Sequence, residues 1–401
     1  MSAPLDRTLF SFDPEVLWIM HCAEAPVPKP AVEASRSFLE KELRPWKLSP
    51  QDWLEPLQQA RSVAARLLGA EASDVTLTAG TSAGLTTLAQ SFPWQAGDEV
   101  VAPLGEFPSN VWPWKALAAR GVGFREVALW DGHRSGVEAL SSAPPTVDSQ
   151  PEARLLEALG PRTRVLTVSW VRFQDGLRLD LQKLARGCAG RGVWLVVDGI
   201  QGAGTLPVDL SGVAAFATGV HKGLMAPQGL GLLWTSPELR ERLNPMGSWL
   251  SVEAGAGFSD LNRKWVTDGR KLEHSTPNSL SLSALAVSLQ LLCDAGPARI
   301  AEHVSALQAA LLERLSRSGA WGAELERLRE LRERARIGSI LALHHQGRGA
   351  ESLQALLQAG FERGVYASVR EGYLRIALHG WHGEEDVGRV AEWLMAGPAG
   401  R

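Results

Sequence analysis

The stretch VWLVVDGIQGAGTLPVDLSGVAAFATGVHKGLMAPQGLGLLW, residues 193–234, decides the fold. An apolar run ends in Asp198-Gly199, the pattern of a strand buried on both faces. A second apolar segment, 214–220, runs into His221-Lys222-Gly223, and a third, 229–234, follows. In open α/β sheets ligands bind beyond the carboxyl ends of the strands. The spacing therefore brings a carboxylate, Asp198, and an amine, Lys222, to one sheet edge. Taken singly, an Asp ending a strand is most often a turn or helix cap, and a lysine after a strand is usually at the surface. Together they suit a cofactor that needs an amine for a Schiff base and an acid for a ring nitrogen. An amine whose pKa is depressed by burial or cationic neighbours is the competent nucleophile.

Working toward the N-terminus, strand and helix patterns alternate. A strand then a turn is expected over 74–80 and strands at 98–103 and 164–170, with helices at 31–43, 56–68, from 81, at 111–121 and from 179. The first twenty residues read as an extended arm, and 141–152, rich in Pro and Ser, as a surface loop. That order indicates βαβ units and a mostly parallel sheet. The character changes near residue 278. Long helices over 279–293 and 297–316 lead to a strand at 338–345, a helix, a strand pair over 365–380 and a last helix over 384–395. The charged run 324–336 reads as a solvated helical face. The expected layout is a large α/β domain over 20–278 and a small α+β domain formed by 1–19 with 279–401.

Bulk composition is that of an ordinary globular protein. The chain has 401 residues, is 45% hydrophobic and 21% charged, and carries a formal charge of −3. Such a balance gives no reason to expect a nucleic-acid or membrane partner. Cys22, Cys188 and Cys293 are far apart and form no Cys-x-x-Cys pair, which argues against a zinc site or disulfide framework and for a reducing compartment. With no apolar leader in MSAPLDRTLF and no run of 18 apolar residues, cytoplasm is the expected location. Fifteen Trp against two Tyr is an imbalance without a physical account, although Trp commonly lines ligand pockets.

Nine positions in the opening stretch follow one pattern: Asp198, Gln201, Pro207, Asp209, His221, Lys222, Pro227, Gly229 and Gly231. The pattern resembles the class V aminotransferase family of fold-type I pyridoxal 5'-phosphate (PLP) enzymes, which includes cysteine desulfurases, kynureninases and isopenicillin N epimerase-like proteins. The resemblance implies that Lys222 carries PLP as a Schiff base, Asp198 pairs with the ring nitrogen, Gln201 bonds the ring 3'-oxygen, and His221 helps hold the phosphate. LTAGTSAGL, 77–85, is similar to the family's phosphate turn. There Thr81 and Ser82 would meet the phosphate at a helix N-terminus, with an ordinary helix cap as the alternative.

EFPSNVWPW, 106–114, looks like the ring-stacking segment, with Phe107 as the stacking residue and Asn110 as a candidate substrate contact. SWVRFQDGLRLDL, 169–181, resembles the substrate-side segment; Arg172 replaces a usual Gln and is either a substrate contact or a structural ion pair. KLEHSTPNSL, 271–280, resembles E-x-G-T-P-N, in which Thr276 would reach the phosphate of a second subunit, although Ser275 replaces Gly. A homodimer is implied. GYLRIALHGWHGEEDV, 372–387, resembles the C-terminal motif, in which Arg375 would bind the substrate α-carboxylate. Trp381-His382 replaces the usual Tyr-Asn.

Desulfurases carry a catalytic Cys before the Arg375 strand, whereas GVYASVREGYLRIA has none. Cys22, in WIMHCAEAP, is a possible pocket lining; His21 and Glu24 beside it are read as loop-structural or as substrate contacts. An amino-acid substrate with Cα proton removal by Lys222 is expected. Transamination leads, ahead of Cβ lyase chemistry (C–S or kynureninase-like cleavage) and epimerisation. A non-catalytic PLP-fold binding protein is the alternative class, against which an intact Lys222, Asp198 and Arg375 argue.

Overall fold

The computed structural model describes residues 2–257, 259–317, 321–345 and 350–396. The chain opens with a short strand, β1 (Leu17–Trp18), then two helices, α1 (Lys29–Glu42) and α2 (Pro50–Leu68). The α2 helix starts six residues before the expected Pro56. Ser49 caps it, accepting from Asp52 N while Asp52 reaches back to Ser49 N, and Pro50 occupies the first turn, where no N–H is needed. Pro56 is tolerated further in.

The core sheet follows. Its strands are β2 (Val75–Thr78), β3 (Glu99–Pro103), β4 (Gly123–Val127), β5 (Thr163–Ser169), β6 (Trp194–Asp198), β7 (Ala215–Gly219) and β8 (Gly231–Thr235). Between them lie α3 (Thr81–Ser91), α4 (Trp112–Lys115), α5 (Pro151–Ala158) and α6 (Leu181–Ala189). In space the order is β2-β8-β7-β6-β5-β3-β4. All neighbours are parallel except β8, which runs antiparallel to both β2 and β7. The strands β2, β5, β7 and β8 are almost wholly buried and rich in Val, Leu and Ala, as strands covered on both faces must be.

Between β3 and β5, one strand and one α-helix had no expected counterpart. The β4 strand is half exposed and polar at the sheet edge, so it lacks an apolar run. The α5 helix is short and begins at Pro151, inside the expected loop 141–152. The helix expected over 111–121 is a single α turn followed by a 3-10 segment, Ala116–Arg120.

After α7 (Pro237–Arg242) come α8 (Ser279–Ala295), α9 (Pro297–Ser316), α10 (Gly322–Glu333), β9 (Ile340–His344), α11 (Ala350–Phe361), β10 (Val365–Tyr366), β11 (Ser368–Arg370), β12 (Tyr373–Ala377) and α12 (Glu384–Ala396). Strands β11, β12 and β9 form an antiparallel sheet. The N-terminal arm joins this region: β1 pairs with β10, and Met20 bridges Ala377. Helix α8 lies against α1 and α2. Among the described residues no single helix is long and apolar enough to cross a membrane.

The run 324–336 is only in part the solvated face expected of it: Glu326, Glu330, Glu333 and Arg334 are exposed, but the other side is not. Glu324 is fully buried, and its carboxylate accepts from Arg327 Nε at 2.7 Å, Arg327 Nη2 at 2.6 Å and His344 N at 2.7 Å. Leu325, Leu328 and Leu331 recur at helical spacing and turn that side of α10 to the core, drawing the neighbouring ion pair in with them.

Candidate active site

The carboxyl ends of the parallel strands converge on one place. Register aligns Ser169 at the end of β5 with Asp198 at the end of β6, and Asp198 with Ala217 of β7. Lys222 lies three residues beyond β7, and Phe107 four residues beyond β3. The sequence thus delivers amine, carboxylate and ring to the same edge through three separate strands, β7, β6 and β3.

Lys222 is 9% exposed and Asp198 is 3% exposed. Burial pushes the Lys222 ammonium down, against the pull of Asp198 and Cys22, while the Arg375 charge adds to the depression. Burial pushes the Asp198 carboxyl up to about 7; the Glu106 charge adds to the rise, and the Ile200 N–H and Lys222 oppose it. Ile200 N donates to Asp198 Oδ1 at 3.0 Å, and no donor among the described residues is bonded to Oδ2. That oxygen suits a cationic N–H. The Phe107 ring is 40% exposed, packs edge-on to Phe173 at 5.2 Å and has Lys222 Nζ 5.6 Å from its centroid. The ring is thus open beside the buried amine rather than packed in the core.

The residues expected to meet a phosphate lie after β2, on α3, and past the end of β7. Gly80, with φ 145°, makes the turn into α3. A Cβ placed on Gly219 would stand 3.1 Å from Thr81 Oγ1 and 3.3 Å from His221 Cε1, so these two side chains meet across a glycine. Thr81 Oγ1 is buried with no hydrogen-bond partner. Leaving a buried hydroxyl unpaired costs ~1–3 kcal/mol, a cost that a bound anion at the helix N-terminus removes. Ser82 Oγ is 2.6 Å from Ser109 Oγ. Burial and Lys222 push the His221 imidazolium down, and Glu24 opposes them. Gln201 Nε2 donates to Cys22 O at 3.0 Å, and its Oε1 is buried and unpaired. Unpaired hydroxyl and amide, a carboxyl with a free oxygen, an amine and an open ring face fit PLP along its whole length.

Arg375, on β12, is 3% exposed. Its Nε and Nη2 donate to Ser368 Oγ at 3.1 and 2.8 Å, and its Nη1 to Phe173 O at 2.8 Å. It forms no ion pair among the described residues. Of the five N–H donors of a guanidinium, these bonds leave one on each terminal nitrogen, the fork that a carboxylate accepts. Burial pushes its pKa down while Cys22, close by, opposes this. Cys22 is buried with Ala342, Tyr373 and Ala377 on the β9–β12 surface that carries Arg375.

The remaining candidates make other contacts. Arg172 is 1% exposed and ion-paired: its Nε donates to Asp175 at 2.9 Å, Nη1 to Leu104 O at 3.2 Å, and Nη2 lies 3.2 Å from His133 Nε2. The alternative of a structural ion pair is the one observed. Asn110 is fully buried and equally committed, donating to Glu106 at 3.1 Å and accepting from Trp114 and Thr167. Thr276 is exposed, accepts from Trp249 Nε1 at 3.3 Å and lines a cavity of about 530 Å³ with Ser82, Gly229 and Leu230.

Sequence reasoning passed over Glu106. This buried carboxylate accepts from Ser169 N at 2.9 Å and from the Ser169 hydroxyl, and burial raises its pKa. An acid directly before Phe107 was the available signal. Ser368, which orients Arg375, gave none.

The chain matches the Aminotransferase class-V family over residues 21–360. It is 24% identical to an uncharacterized aminotransferase, C777.03c, of Schizosaccharomyces pombe over 86% of this chain and 83% of that protein. It is 30% identical to isopenicillin N epimerase of Streptomyces clavuligerus over 58% of this chain, but spans only 56% of that enzyme. A probable cysteine desulfurase of Methanothermobacter thermautotrophicus is also 30% identical, over 62% of this chain and 58% of that protein. Among solved structures, a lysine-to-alanine mutant of C-DES with glycine covalently linked to its PLP cofactor superposes with a TM-score of 0.79 at 22% identity, covering 98% of this chain and 99% of that one, a likeness of fold. The converging strand ends and the family match over residues 21–360 lead to one conclusion: the chain is an enzyme of the class V aminotransferase family, with the fold-type I architecture and pyridoxal 5'-phosphate as its cofactor.

Proposed function

We propose that the enzyme is an aminotransferase acting on an α-amino acid, with Lys222 as the cofactor-bearing lysine and Arg375 as the clamp on the α-carboxylate. The observation that carries this reading is the buried Arg375 guanidinium, without an acidic partner among the described residues and with one N–H left on each terminal nitrogen. When bound, PLP supplies an electron sink that acidifies the Cα–H bond of an amino substrate.

The chain's own groups do the rest. Thr81, Ser82 and His221 would hold the phosphate, Phe107 would stack on the ring, Gln201 would bond the 3'-oxygen, and Asp198 would pair with the ring nitrogen. Arg375 orients the substrate so that its Cα–H bond meets Lys222 Nζ. Burial favours the neutral amine, which takes the Cα proton and holds it for return. In this reading the working unit is a homodimer in which Thr276 reaches the phosphate site of a second copy.

A second reading is epimerisation. It would use Cys22, which packs on the β9–β12 surface that carries Arg375, as a second group beside the clamp. Desulfuration draws less support, because the stretch before Arg375 holds no cysteine. The test is an amino-acid panel run with and without a 2-oxo acid acceptor. Transfer of the amino group to the acceptor is the expected result. Inversion at Cα without a 2-oxo acid product would replace it with epimerisation, and sulfide release from cysteine or cystine would replace it with C–S chemistry.

A further inference from the structure

We propose that His379 is a positioning residue for Lys222, acting through the main chain of the turn that carries the amine. The inference rests on the assignment of Lys222 above. Three carbonyls define that turn. His221 O accepts from Ala25 N at 2.8 Å, Lys222 O accepts from Met225 N at 2.9 Å, and Gly223 O accepts from His379 Nε2 at 3.0 Å. The first two donors are main-chain groups; the third is a side chain from 156 residues further along, beyond β12.

The turn needs holding. Met225 is fully buried with φ at 55°, a left-handed conformation that costs a non-glycine residue strain and persists only where its surroundings impose it. The peptide after Lys222 is also tightly enclosed: a Cβ on Gly204 would stand 2.2 Å from Gly223 O, and a Cβ on Gly223 would stand 2.2 Å from Ala203 O. The Ala203–Gly204 backbone thus confines the peptide, and His379 supplies the hydrogen bond to its carbonyl.

The donor is itself fixed. Gly380 N donates to His379 Nδ1 at 2.7 Å, which puts the ring proton on Nε2, facing Gly223 O. Trp381 stacks on the ring at 4.3 Å and 12°, and His21 meets it edge-on at 5.1 Å. His379 N donates to His382 Nδ1 at 2.9 Å, while His382 Nε2 donates to Trp18 O at 2.9 Å and His303 Nε2 to His382 O at 2.8 Å. The network ties the N-terminal arm, α9 and the end of β12 to the Lys222 turn. Arg375 is on that same strand, so the segment that bears the substrate clamp also sets the height of the amine.

The test compares His379→Leu, which keeps volume but loses the donor, with His379→Gln, which keeps an N–H of similar reach, and His379→Asn, whose donor is too short. Circular dichroism first establishes that each is folded; if the Leu variant is not, the Asn and Gln pair carries the comparison. In the variants without a reaching donor, PLP affinity should fall ~3- to 10-fold. The pH midpoint of the bound-cofactor absorbance should move by at least ~0.5 unit. Turnover should fall ~10- to 100-fold with KM little changed, the signature of a misplaced reacting group. Gln should restore most of each. Folded Leu or Asn variants with wild-type affinity and absorbance titration would overturn the proposal, as would a Gln variant no better than Asn. Borohydride mapping on the wild type separates this from the underlying assignment. A label on Lys222 with silent His379 variants rejects only the positioning role; a label elsewhere rejects the Lys222 reading and the positioning role with it.

Discussion

Taking a guanidinium out of water without a carboxylate costs several kcal/mol, and Arg375 is held in that state by Ser368 and Phe173. A substrate carboxylate repays that cost, and a hydrogen bond to a charged group contributes ~1.5–3 kcal/mol. Arg375→Ala should therefore lower kcat/KM for the amino acid by ~10- to 100-fold. Arg375→Lys should recover only part, being a point charge rather than a planar fork. The control is the matching amine without its carboxylate: loss confined to the amino acid supports the clamp, and equal loss for both substrates assigns Arg375 to structure. Asp198 gives a companion prediction. Asp198→Asn removes the charge that would stabilise a protonated ring nitrogen, so exchange of the substrate Cα hydrogen with deuterated solvent should drop sharply while the fold persists. Undiminished exchange would contradict the role.

Among the elements, α10 shows what a charge pattern conceals. Glu324 and Arg327 are neighbours on a buried face, and removing one leaves the other charged in the core. Glu324→Ala should destabilise by ~3–5 kcal/mol, while replacing both residues with apolar side chains of similar volume should recover much of the loss, read from denaturant unfolding. A single variant within error of wild type would show the pair to be solvated after all. The run 324–336 gave no warning because its many charges outweigh the Leu325, Leu328 and Leu331 stripe in any compositional reading. The strands were more legible. Apolar runs ending in Asp198 and ahead of His221-Lys222 carry both the β pattern and the chemistry, so sheet and site were read together. Edge strand β4 and the short helix α5 lack such runs. The local partners of the site were harder to see. Glu106 and His379 act through contacts 63 and 156 residues away, which no spacing in the sequence encodes. Ser368 meets Arg375 only through the β11–β12 register, which a sequence pattern leaves open.

At the scale of the whole molecule, the same burial that tunes the site makes stability depend on pH. His21 and His382 are pushed down by burial and neighbouring charge, and His379 to about 3. The native state keeps them neutral while the unfolded chain takes up protons below about 6.5, so stability is full above that value and falls as pH drops, by up to ~1.4 kcal/mol per unit per group. Asp198, raised to about 7, works the other way between about 4 and 7, because its native form holds the proton that the unfolded chain has lost. With His133, His221 and His344 also lowered, and Glu106 and Glu371 also raised, six histidines stand against three carboxyls and the net is a loss on acidification. Cofactor-free protein should melt lower at pH 5.5 than at pH 7.5, and His379→Gln should narrow the gap; a flat profile would contradict the buried, neutral state of these rings. Strand order, turn and network all converge on a single amine, and its identity is open to direct measurement. Borohydride reduction of the PLP-loaded enzyme, followed by proteolysis and mass spectrometry, should place the phosphopyridoxyl group on Lys222; its appearance on any other lysine would contradict the account.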